Sequence, residues 1–289
     1  MLELWDEFVN RLRDFFRRQG YLEVSTPILL EFPNLDSNIE PISVDVRIRN
    51  HTRGLWLQTS PEYSMKKLLS KYGKNIFQLA KVFRNNEFGR LHRIEFHMLE
   101  WYRVGESYQY LIEEIKGLLT ELFSFEEFEE ITFEELFKKT FGRELTTDAD
   151  RLRDILRERG LNYSYQEDWE TLFYRLFLEV ERKLGWEKPT FLKDFPRELC
   201  ALAKLKGAVA ERFELFIKGV EIANGWTEET DPVEVRRRLE REAKLRKLPL
   251  DEDFVKAHEG MPPCAGCSIG VDRLFMLWLG KDSLEGIEL

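Results

Sequence analysis

Charged and aromatic side chains alternate in Glu95–Arg103 in a pattern that suits a binding site better than a protein core. The alternation predicts a strand, joined through a polar, arginine-rich loop to another predicted strand at Ile76–Phe83. Because every second side chain of a strand lies on one face, we expect Phe96, Glu100 and Tyr102 together. Such a face suits a site that stacks a flat ring and binds a cation.

Two more acids belong to a predicted β-hairpin. Lys218-Gly219 is typical of a two-residue turn between strands at Arg212–Ile217 and Val220–Asn224. In that register Glu214 and Glu221 become diagonal neighbours, about 7–8 Å apart at the backbone. Acids this close repel unless a cation or a proton lies between them. They form either a solvated hairpin face or a site where carboxylates and substrate phosphates hold Mg²⁺.

A third stretch joins a strand of small residues, Ala265–Gly270, to an apolar helix, Val271–Leu279. Arg273 falls in the first turn of that helix, where the helix dipole disfavours a cation. A bound anion would resolve the conflict, since helix N-termini and arginine both bind phosphates. The alternative is a surface arginine paired with Asp272 or another acid.

The three stretches together predict binding of ATP and a diamino acid. Arg84, Arg273 and Mg²⁺ would neutralise a triphosphate, and Phe96 would stack on adenine. Three carboxylates then remain, which suits a substrate that carries amines. They belong to Glu62, Glu100 and Glu228.

The rest of the chain predicts the elements that position these residues. Amphipathic periodicity predicts a helix at Leu2–Gln19, and Pro27 interrupts the strand that follows. Another helix begins with Ser60 as N-cap, Pro61 at the first position and Glu62 in the first turn, where it also suits the helix dipole. The other predicted elements are strands at Ile42–Ile48 and Gly54–Thr59 and helices at Tyr108–Phe123, Phe133–Thr140, Ala149–Arg159, Trp169–Leu184 and Pro232–Lys247.

Composition limits the class of protein. The net charge of −9 argues against a broad nucleic-acid surface, which normally needs a basic face. Three cysteines, Cys200, Cys264 and Cys267, are too few and odd in number for a disulfide scaffold. Zinc needs about four ligands, so the CxxC pair favours packed thiols. No segment approaches the roughly 20 apolar residues of a membrane span, and no signal peptide is evident, so we expect a cytoplasmic protein.

The same residues carry a family resemblance. FRNNEFGRLHRIEFHMLEWYR resembles motif 2 of the class II aminoacyl-tRNA synthetases, GCSIGVDRL resembles motif 3, and GYLEVSTPIL resembles motif 1. SPEYSMKKLL and VEIANGWTE resemble the lysine subclass. With EKPTFLKDFP and MPPCAGCSIGVDRL, the likeness extends over nearly the whole chain to the short paralogues that ligate lysine to elongation factor P.

The resemblance implies an α+β fold with a central antiparallel sheet of about six strands flanked by helices. It implies a single catalytic domain over residues 1–289, with a helical insertion at about 106–205 and no anticodon-binding domain. ATP would activate lysine, with (R)-β-lysine as the favoured amino acid of this family, to an aminoacyl-adenylate for transfer to the ε-amine of a lysine on elongation factor P. A homodimer is implied by motif 1, and tRNA is not expected as the acceptor.

Matching positions carry the implied roles. Arg84 would hold the α-phosphate, Phe96 would stack on adenine, and Arg84 and Arg273 would be the catalytic residues. Further ATP contacts are implied at Asn85, Asn86, Glu221, Ile222, Gly270 and Arg273, and magnesium ligands at Glu214 and Glu221. The lysine pocket is implied at Ser60, Glu62, Glu100, Tyr102, Asn224, Glu228 and Ser268.

Four positions depart from the family pattern. Arg93-Ile94 replaces the usual Asn-Pro, and Asn86 replaces an acid. Ser268 stands where the paralogues usually have Ala and the synthetases Gly. Two other functions stay open: a free-standing lysyl-tRNA synthetase-like enzyme that serves a tRNA or a small molecule, and a non-catalytic sensor. The presence of Arg84, Glu214, Glu221 and Arg273 argues against the sensor.

Overall fold

The computed structural model describes residues 1–287, which form two compact units. One unit comprises residues 1–124 and 225–287, and the other comprises Phe125–Asn224. The helices are α1 (Leu2–Arg18), α2 (Glu62–Tyr72), α3 (Tyr108–Phe123), α4 (Phe133–Phe141), α5 (Ala149–Glu158), α6 (Trp169–Glu181), α7 (Pro232–Arg246), α8 (Glu252–Ala257) and α9 (Val271–Trp278). The strands are β1 (Leu22–Glu23), β2 (Leu29–Leu30), β3 (Ser43–Ile48), β4 (His51–Leu57), β5 (Ile76–Phe83), β6 (Glu95–Val104), β7 (Glu129–Thr132), β8 (Thr190–Pro196), β9 (Leu205–Lys206), β10 (Val209–Ile217), β11 (Val220–Thr227) and β12 (Cys264–Gly270).

The sheet of the first unit positions the alternating segment. Its strands follow the order β1-β5-β6-β12, and the last residues of β11 lie next to β12. Strands β5, β6 and β12 are antiparallel, whereas β1 pairs with β5 in parallel. Strand β12 sets Ser268 opposite Glu100 and Gly266 opposite Tyr102.

A separate sheet in the order β2-β4-β3 begins after Pro27, so the predicted interruption is confirmed.

Helix α1 covers the face of this sheet away from Glu100. Phe16 stacks on Phe77 with ring centres 5.3 Å apart and contacts Trp101 at 4.9 Å. Burying an aromatic side chain of this size stabilises the fold by roughly 1.5–3 kcal/mol. The Glu114 carboxylate lies inside this layer and accepts hydrogen bonds from Tyr21 at 2.9 Å and from Trp101 at 2.8 Å. These rings and their polar partners fix β5 and β6 in place.

In the second unit the strands follow the order β11-β10-β8-β7, with β9 paired to β10. Phe133 of α4 contacts Phe173, Phe177 and Phe195 at ring distances of 4.9–5.1 Å, which packs α4 and α6 against β8. Lys218 and Gly219 both have positive φ, 54° and 73°, as a two-residue hairpin turn requires. The predicted hairpin is therefore confirmed.

The predicted fold class is confirmed: sheets are flanked by helices, and most strand pairs are antiparallel. Strand β5 has the predicted ends, and the predicted helices are present with small differences at their ends. The region predicted as a helical insertion also contains β7 and β8, which pair in parallel. That the chain is one catalytic domain stays a prediction. No helix in residues 1–287 is long and apolar enough to cross a membrane.

The predicted N-cap of α2 is wrong. Pro61 is the N-cap residue, without a side-chain hydrogen bond, and Glu62 is the first helical residue. The Ser60 hydroxyl is shared: it accepts a hydrogen bond from the Asn34 amide at 3.1 Å and a long one from the Glu62 N–H at 3.4 Å. The buried amide of Asn34 needs a partner, and its bond to the Ser60 hydroxyl leaves only the long contact to the helix.

Candidate active site

Arg84 and Phe96 contact each other at the start and end of the loop between β5 and β6. The Arg84 guanidinium lies 5.2 Å from the centre of the Phe96 ring, within the range of a cation–π contact. The Arg84 backbone N–H donates to the Ile94 carbonyl at 2.8 Å, which closes the base of the loop. The two residues expected to hold phosphate and adenine therefore form one pair.

Glu40 holds the next two residues of this loop. Its carboxylate accepts hydrogen bonds from the side-chain amides of Asn85, at 2.7 Å, and Asn86. Its carbonyl also accepts the Asn85 N–H at 2.9 Å. Asn86 has a φ of 60°, a left-handed conformation that asparagine adopts more readily than most residues. This backbone turn gives a physical reason for asparagine where the family pattern has an acid.

Arg93 holds a remote segment. Its guanidinium donates to the carbonyls of Leu284 at 2.7 Å and Ile287 at 2.6 Å. In addition, the Leu284 N–H donates to the Arg90 carbonyl at 2.9 Å. Arg93, which departs from the family pattern, thus joins the loop between β5 and β6 to residues 284–287.

Helix α9 presents Arg273 in its first turn, with Gly270 as N-cap residue. The Arg273 guanidinium donates to the Leu91 carbonyl, 3.0 Å away, in the loop between β5 and β6. The buried Asp272 carboxylate accepts the His97 N–H at 2.6 Å. Arg273 therefore lies against the same loop that carries Arg84.

The carboxylates of Glu62 and Glu228 meet at a buried ammonium group. Lys66 Nζ lies 2.6 Å from Glu62 Oε1 and 2.7 Å from Glu228 Oε2, and its side chain is 0% exposed. Burial lowers the pKa of Lys66, but the two carboxylates outweigh this and raise its pKa overall. Trp226 Nε1 donates to Glu228 Oε2 at 2.8 Å. We call Glu62, Lys66, Glu100, Tyr102 and Glu228 the amine pocket.

Glu100 and Tyr102 form the strand side of the amine pocket. The Tyr102 hydroxyl donates to Glu100 Oε1 at 2.6 Å. Burial, followed by the charge of Glu62, raises the pKa of Glu100 well above its usual value. Burial raises the pKa of Glu228 to about 7, against the opposing charge of Lys66. Both acids therefore lie in surroundings that favour an added cation or a retained proton.

One oxygen of the pocket lacks a partner. Glu228 Oε1 is buried and makes no hydrogen bond. It faces Gly266, where an added Cβ would lie 2.7 Å from this oxygen and 2.4 Å from the Tyr102 ring. Only glycine fits there without displacing these neighbours.

The second unit contains the acidic hairpin. Glu214 pairs with Arg212 at 2.7 Å, and Arg212 Nε donates to the Asn224 side-chain oxygen at 3.1 Å. Burial and then the charge of Glu221 raise the pKa of Glu214 to about 8. The carboxylates are therefore close enough to repel, as the predicted register requires. Ile222 follows Glu221 on β11 and is buried.

Two of the three cysteines lie in the interior, on strand β12. Cys200, Cys264 and Cys267 form no disulfide, and the latter two are buried in β12. Within residues 1–287 no group of three or more His, Cys, Asp or Glu side chains is arranged to hold a metal ion. The burial of Cys264 and Cys267 agrees with the packed thiols that the sequence favours for this pair.

The predicted site residues thus fall into clusters. The first unit groups Arg84 with Phe96, and Glu62 with Glu100, Tyr102 and Glu228; Ser60 precedes Glu62, and Ser268 lies opposite Glu100. The second unit groups Glu214, Glu221 and Asn224 around Arg212. Sequence reasoning missed four residues that contact these clusters: Glu40, Lys66, Arg212 and Gly266. Lys66 follows Glu62 by one helical turn, a signal that was available.

Comparison with known proteins identifies the family. The model of the class II tRNA synthetases of the D, K and N type matches residues 1–289. The chain belongs to this family.

Its relatives carry a narrower name. A protein of Aquifex aeolicus named "Elongation factor P--(R)-beta-lysine ligase homolog" is 64% identical over 98% of this chain and 97% of its own length. Proteins named "Elongation factor P--(R)-beta-lysine ligase" from Avibacterium paragallinarum and Proteus mirabilis are 40% and 38% identical. Each of these alignments covers 97% of this chain and, respectively, 92% and 91% of the relative. These names fit the predicted ligase and not the tRNA-dependent alternative.

Proposed function

We propose that this protein is an ATP-dependent ligase that activates lysine, preferably (R)-β-lysine, and attaches it to a lysine side chain of elongation factor P. The observation that carries the proposal is the amine pocket, in which Glu228 Oε1 is buried without a partner. A substrate ammonium group would supply the missing hydrogen bond. The names of the relatives support the choice of acceptor.

The first step needs no protein nucleophile. An oxygen of the lysine carboxylate attacks the α-phosphorus of ATP, and the bond to the leaving pyrophosphate breaks. Arg84 would stabilise the charge that develops on the phosphate, and Phe96 would stack on adenine. Arg273, Asn85, Asn86, Ile222 and Gly270 are the further proposed ATP contacts. The rate would come from positioning and from fixed charges.

The acidic hairpin would hold magnesium. Burial, followed by the charge of Glu221, raises the pKa of Glu214 to about 8. A divalent cation between the two carboxylates would relieve their repulsion. Glu214 and Glu221 are the proposed ligands. When bound, Mg²⁺ supplies positive charge that neutralises phosphate oxygens.

In the second step the acceptor's ε-amine attacks the activated carbonyl carbon, an amide bond forms, and AMP leaves. The pocket that would fix the amino acid during this step consists of Ser60, Glu62, Glu100, Tyr102, Glu228 and Ser268. Asn224 is a further proposed contact of the amino acid. We also propose a homodimer and a cytoplasmic location. The absence of disulfides among the three cysteines supports a reducing compartment.

The decisive experiment offers labelled α-lysine and (R)-β-lysine separately, with ATP and Mg²⁺, to purified elongation factor P and to total tRNA. Label on elongation factor P, with the stronger signal from (R)-β-lysine, is expected. An elongation factor P whose acceptor lysine is replaced by arginine provides the control. Label on tRNA alone would refute the proposed acceptor. ATP–pyrophosphate exchange without transfer to either acceptor would support the activation of lysine. It would show that neither elongation factor P nor tRNA is the acceptor.

A further inference from the structure

We propose that Lys66 is a built-in counter-cation of the amine pocket, which positions Glu62 and Glu228 and leaves one oxygen of Glu228 for the ammonium group of the substrate. The inference rests on the proposed activation of lysine. It makes Lys66 a positioning residue that determines which charge the pocket accepts.

The geometry gives Lys66 one carboxylate on each side. Its Nζ is 2.6 Å from Glu62 on α2 and 2.7 Å from Glu228, which follows β11. The rings of Trp226 and Tyr102 lie 5.6 Å and 5.9 Å from the same nitrogen, within cation–π range. A charge-assisted contact of this kind fixes both carboxylates, because each would have to break a short hydrogen bond to turn away.

Lys66 leaves one oxygen of Glu228 without a hydrogen-bond donor. Glu228 gives Oε2 to Lys66 and Trp226, and its Oε1 remains buried without a donor. A buried acceptor left unpaired is costly, so an incoming ammonium group gains the hydrogen bond that the protein alone does not make. Lys66 contacts Oε2 and not Oε1, so it orients Glu228 and leaves Oε1 open for the substrate.

Charge balance adds a second argument. Glu62, Glu100 and Glu228 would place three negative charges in one buried space, and Lys66 is the ammonium group that contacts two of them. The other titratable groups around Lys66 are Tyr102 on β6, His258 after α8 and Cys264 on β12. Burial lowers the pKa of His258 to about 4 and raises those of Tyr102 and Cys264, so all three are neutral near pH 7.

Without Lys66 the acids would retain protons. The positive charge of Lys66 lowers the pKa of both Glu228 and Glu100, against the raising effect of burial. Loss of this charge would raise both pKa values further, and a protonated acid cannot attract an ammonium group. The loss of lysine binding would therefore be greater at pH 7 than at pH 9, where a larger fraction of these acids is ionised and the ε-ammonium of free lysine remains charged.

The test compares Lys66→Met with Lys67→Met. The second variant is the matched control, because Lys67 is the next residue of the same helix and pairs with Asp251 at 2.6 Å. Lysine-dependent ATP–pyrophosphate exchange would be measured at pH 7 and pH 9, together with the rise in melting temperature caused by added lysine. The wild-type protein must show exchange, and its failure to do so would refute the proposed function and not the role of Lys66.

For Lys66→Met we expect the KM for lysine at pH 7 to rise about 10- to 150-fold, as for loss of hydrogen bonds to a charged group. The KM for ATP should stay within twofold, and the ratio of mutant to wild-type KM for lysine should fall at pH 9. The control should match wild type. An unchanged KM for lysine, or the same loss at both pH values, would overturn the proposal.

A second variant covers the case in which Lys66→Met does not fold. Lys66→Ala leaves space for a small alkylammonium ion, so n-propylammonium chloride should restore lysine-dependent exchange in a saturable manner. Tetramethylammonium chloride, which has no N–H donor, serves as the control for ionic strength. The absence of any restoration by n-propylammonium would contradict the assigned role.

Discussion

The close approach of Gly266 to the amine pocket leads to a quantitative prediction for Gly266→Ala. The added methyl carbon would lie 2.4 Å from Tyr102 Cε1, 2.6 Å from Tyr102 Cδ1 and 2.7 Å from Glu228 Oε1. Real contacts of a Cβ atom are longer than 3 Å, so one neighbour must move. The Tyr102 ring is 2% exposed and is held by its hydrogen bond to Glu100, which leaves it little freedom.

The size of the effect follows from what must be displaced. Forcing an extra methyl group into a packed interior costs about 1–3 kcal/mol. Loss of the buried bond between Tyr102 and Glu100 costs a similar amount, about 1–3 kcal/mol, because a polar group is left without its partner. If the distortion weakens lysine binding by that much, the KM for lysine rises roughly 5- to 150-fold. The melting temperature should fall by about 2–4 °C for each kcal/mol.

The assay is lysine-dependent ATP–pyrophosphate exchange, with thermal unfolding of the same preparation. Gly54→Ala in β4 is the matched control, because its Cβ would have no other atom within 4 Å, and it should retain the wild-type KM and melting temperature. A Gly266→Ala protein with wild-type values for both quantities would show that the pocket relaxes without cost. The steric argument would then be refuted.

Three further predictions concern the loops and the hairpin. Arg84→Ala should fold normally, judged by circular dichroism, and nearly lose ATP–pyrophosphate exchange; near-normal exchange would disprove its role. Without Mg²⁺, the free energy of unfolding should decrease as the pH rises from about 4.5 to 8. The raised pKa of Glu214 lets the folded state keep a proton that the unfolded state releases. Glu214→Gln should flatten that part of the pH profile, and an identical slope in both proteins would count against a raised pKa of Glu214. Arg93→Asn should expose the segment near Leu284 to carboxypeptidase digestion several times faster than in wild type, since two hydrogen bonds are lost; equal digestion rates would rule out this anchor.

Local patterns were enough to predict the hairpins. The apolar run of β5 has the predicted ends, and the turn at Lys218 and Gly219 has the expected positive φ values. In both cases the information lies within a few residues, because side-chain alternation and turn chemistry are local properties. The common face of Glu100 and Tyr102 follows from the same alternation.

Contacts between residues far apart in the sequence could not be predicted from local patterns. Lys66 and Lys67 are adjacent and chemically identical in the sequence, yet one is fully buried against Glu228 and the other pairs with Asp251. Strands β7 and β8 were not predicted because their parallel pairing joins residues about 60 positions apart. The need for glycine at 266 depends on the Tyr102 ring, which only the folded sheet brings opposite it.

The anchor at Arg93 also has a consequence for the order of assembly during synthesis. Strands β5 and β6 are joined by a short loop, so they can pair early, but the first carbonyl that Arg93 binds belongs to a residue made 191 positions later. At a translation rate of roughly 5–20 residues per second, Arg93 waits roughly 10–40 s for Leu284. The loop between these strands is therefore complete only after nearly all of residues 1–287 have been made, and a nascent chain that already contains Arg84 still lacks this anchor.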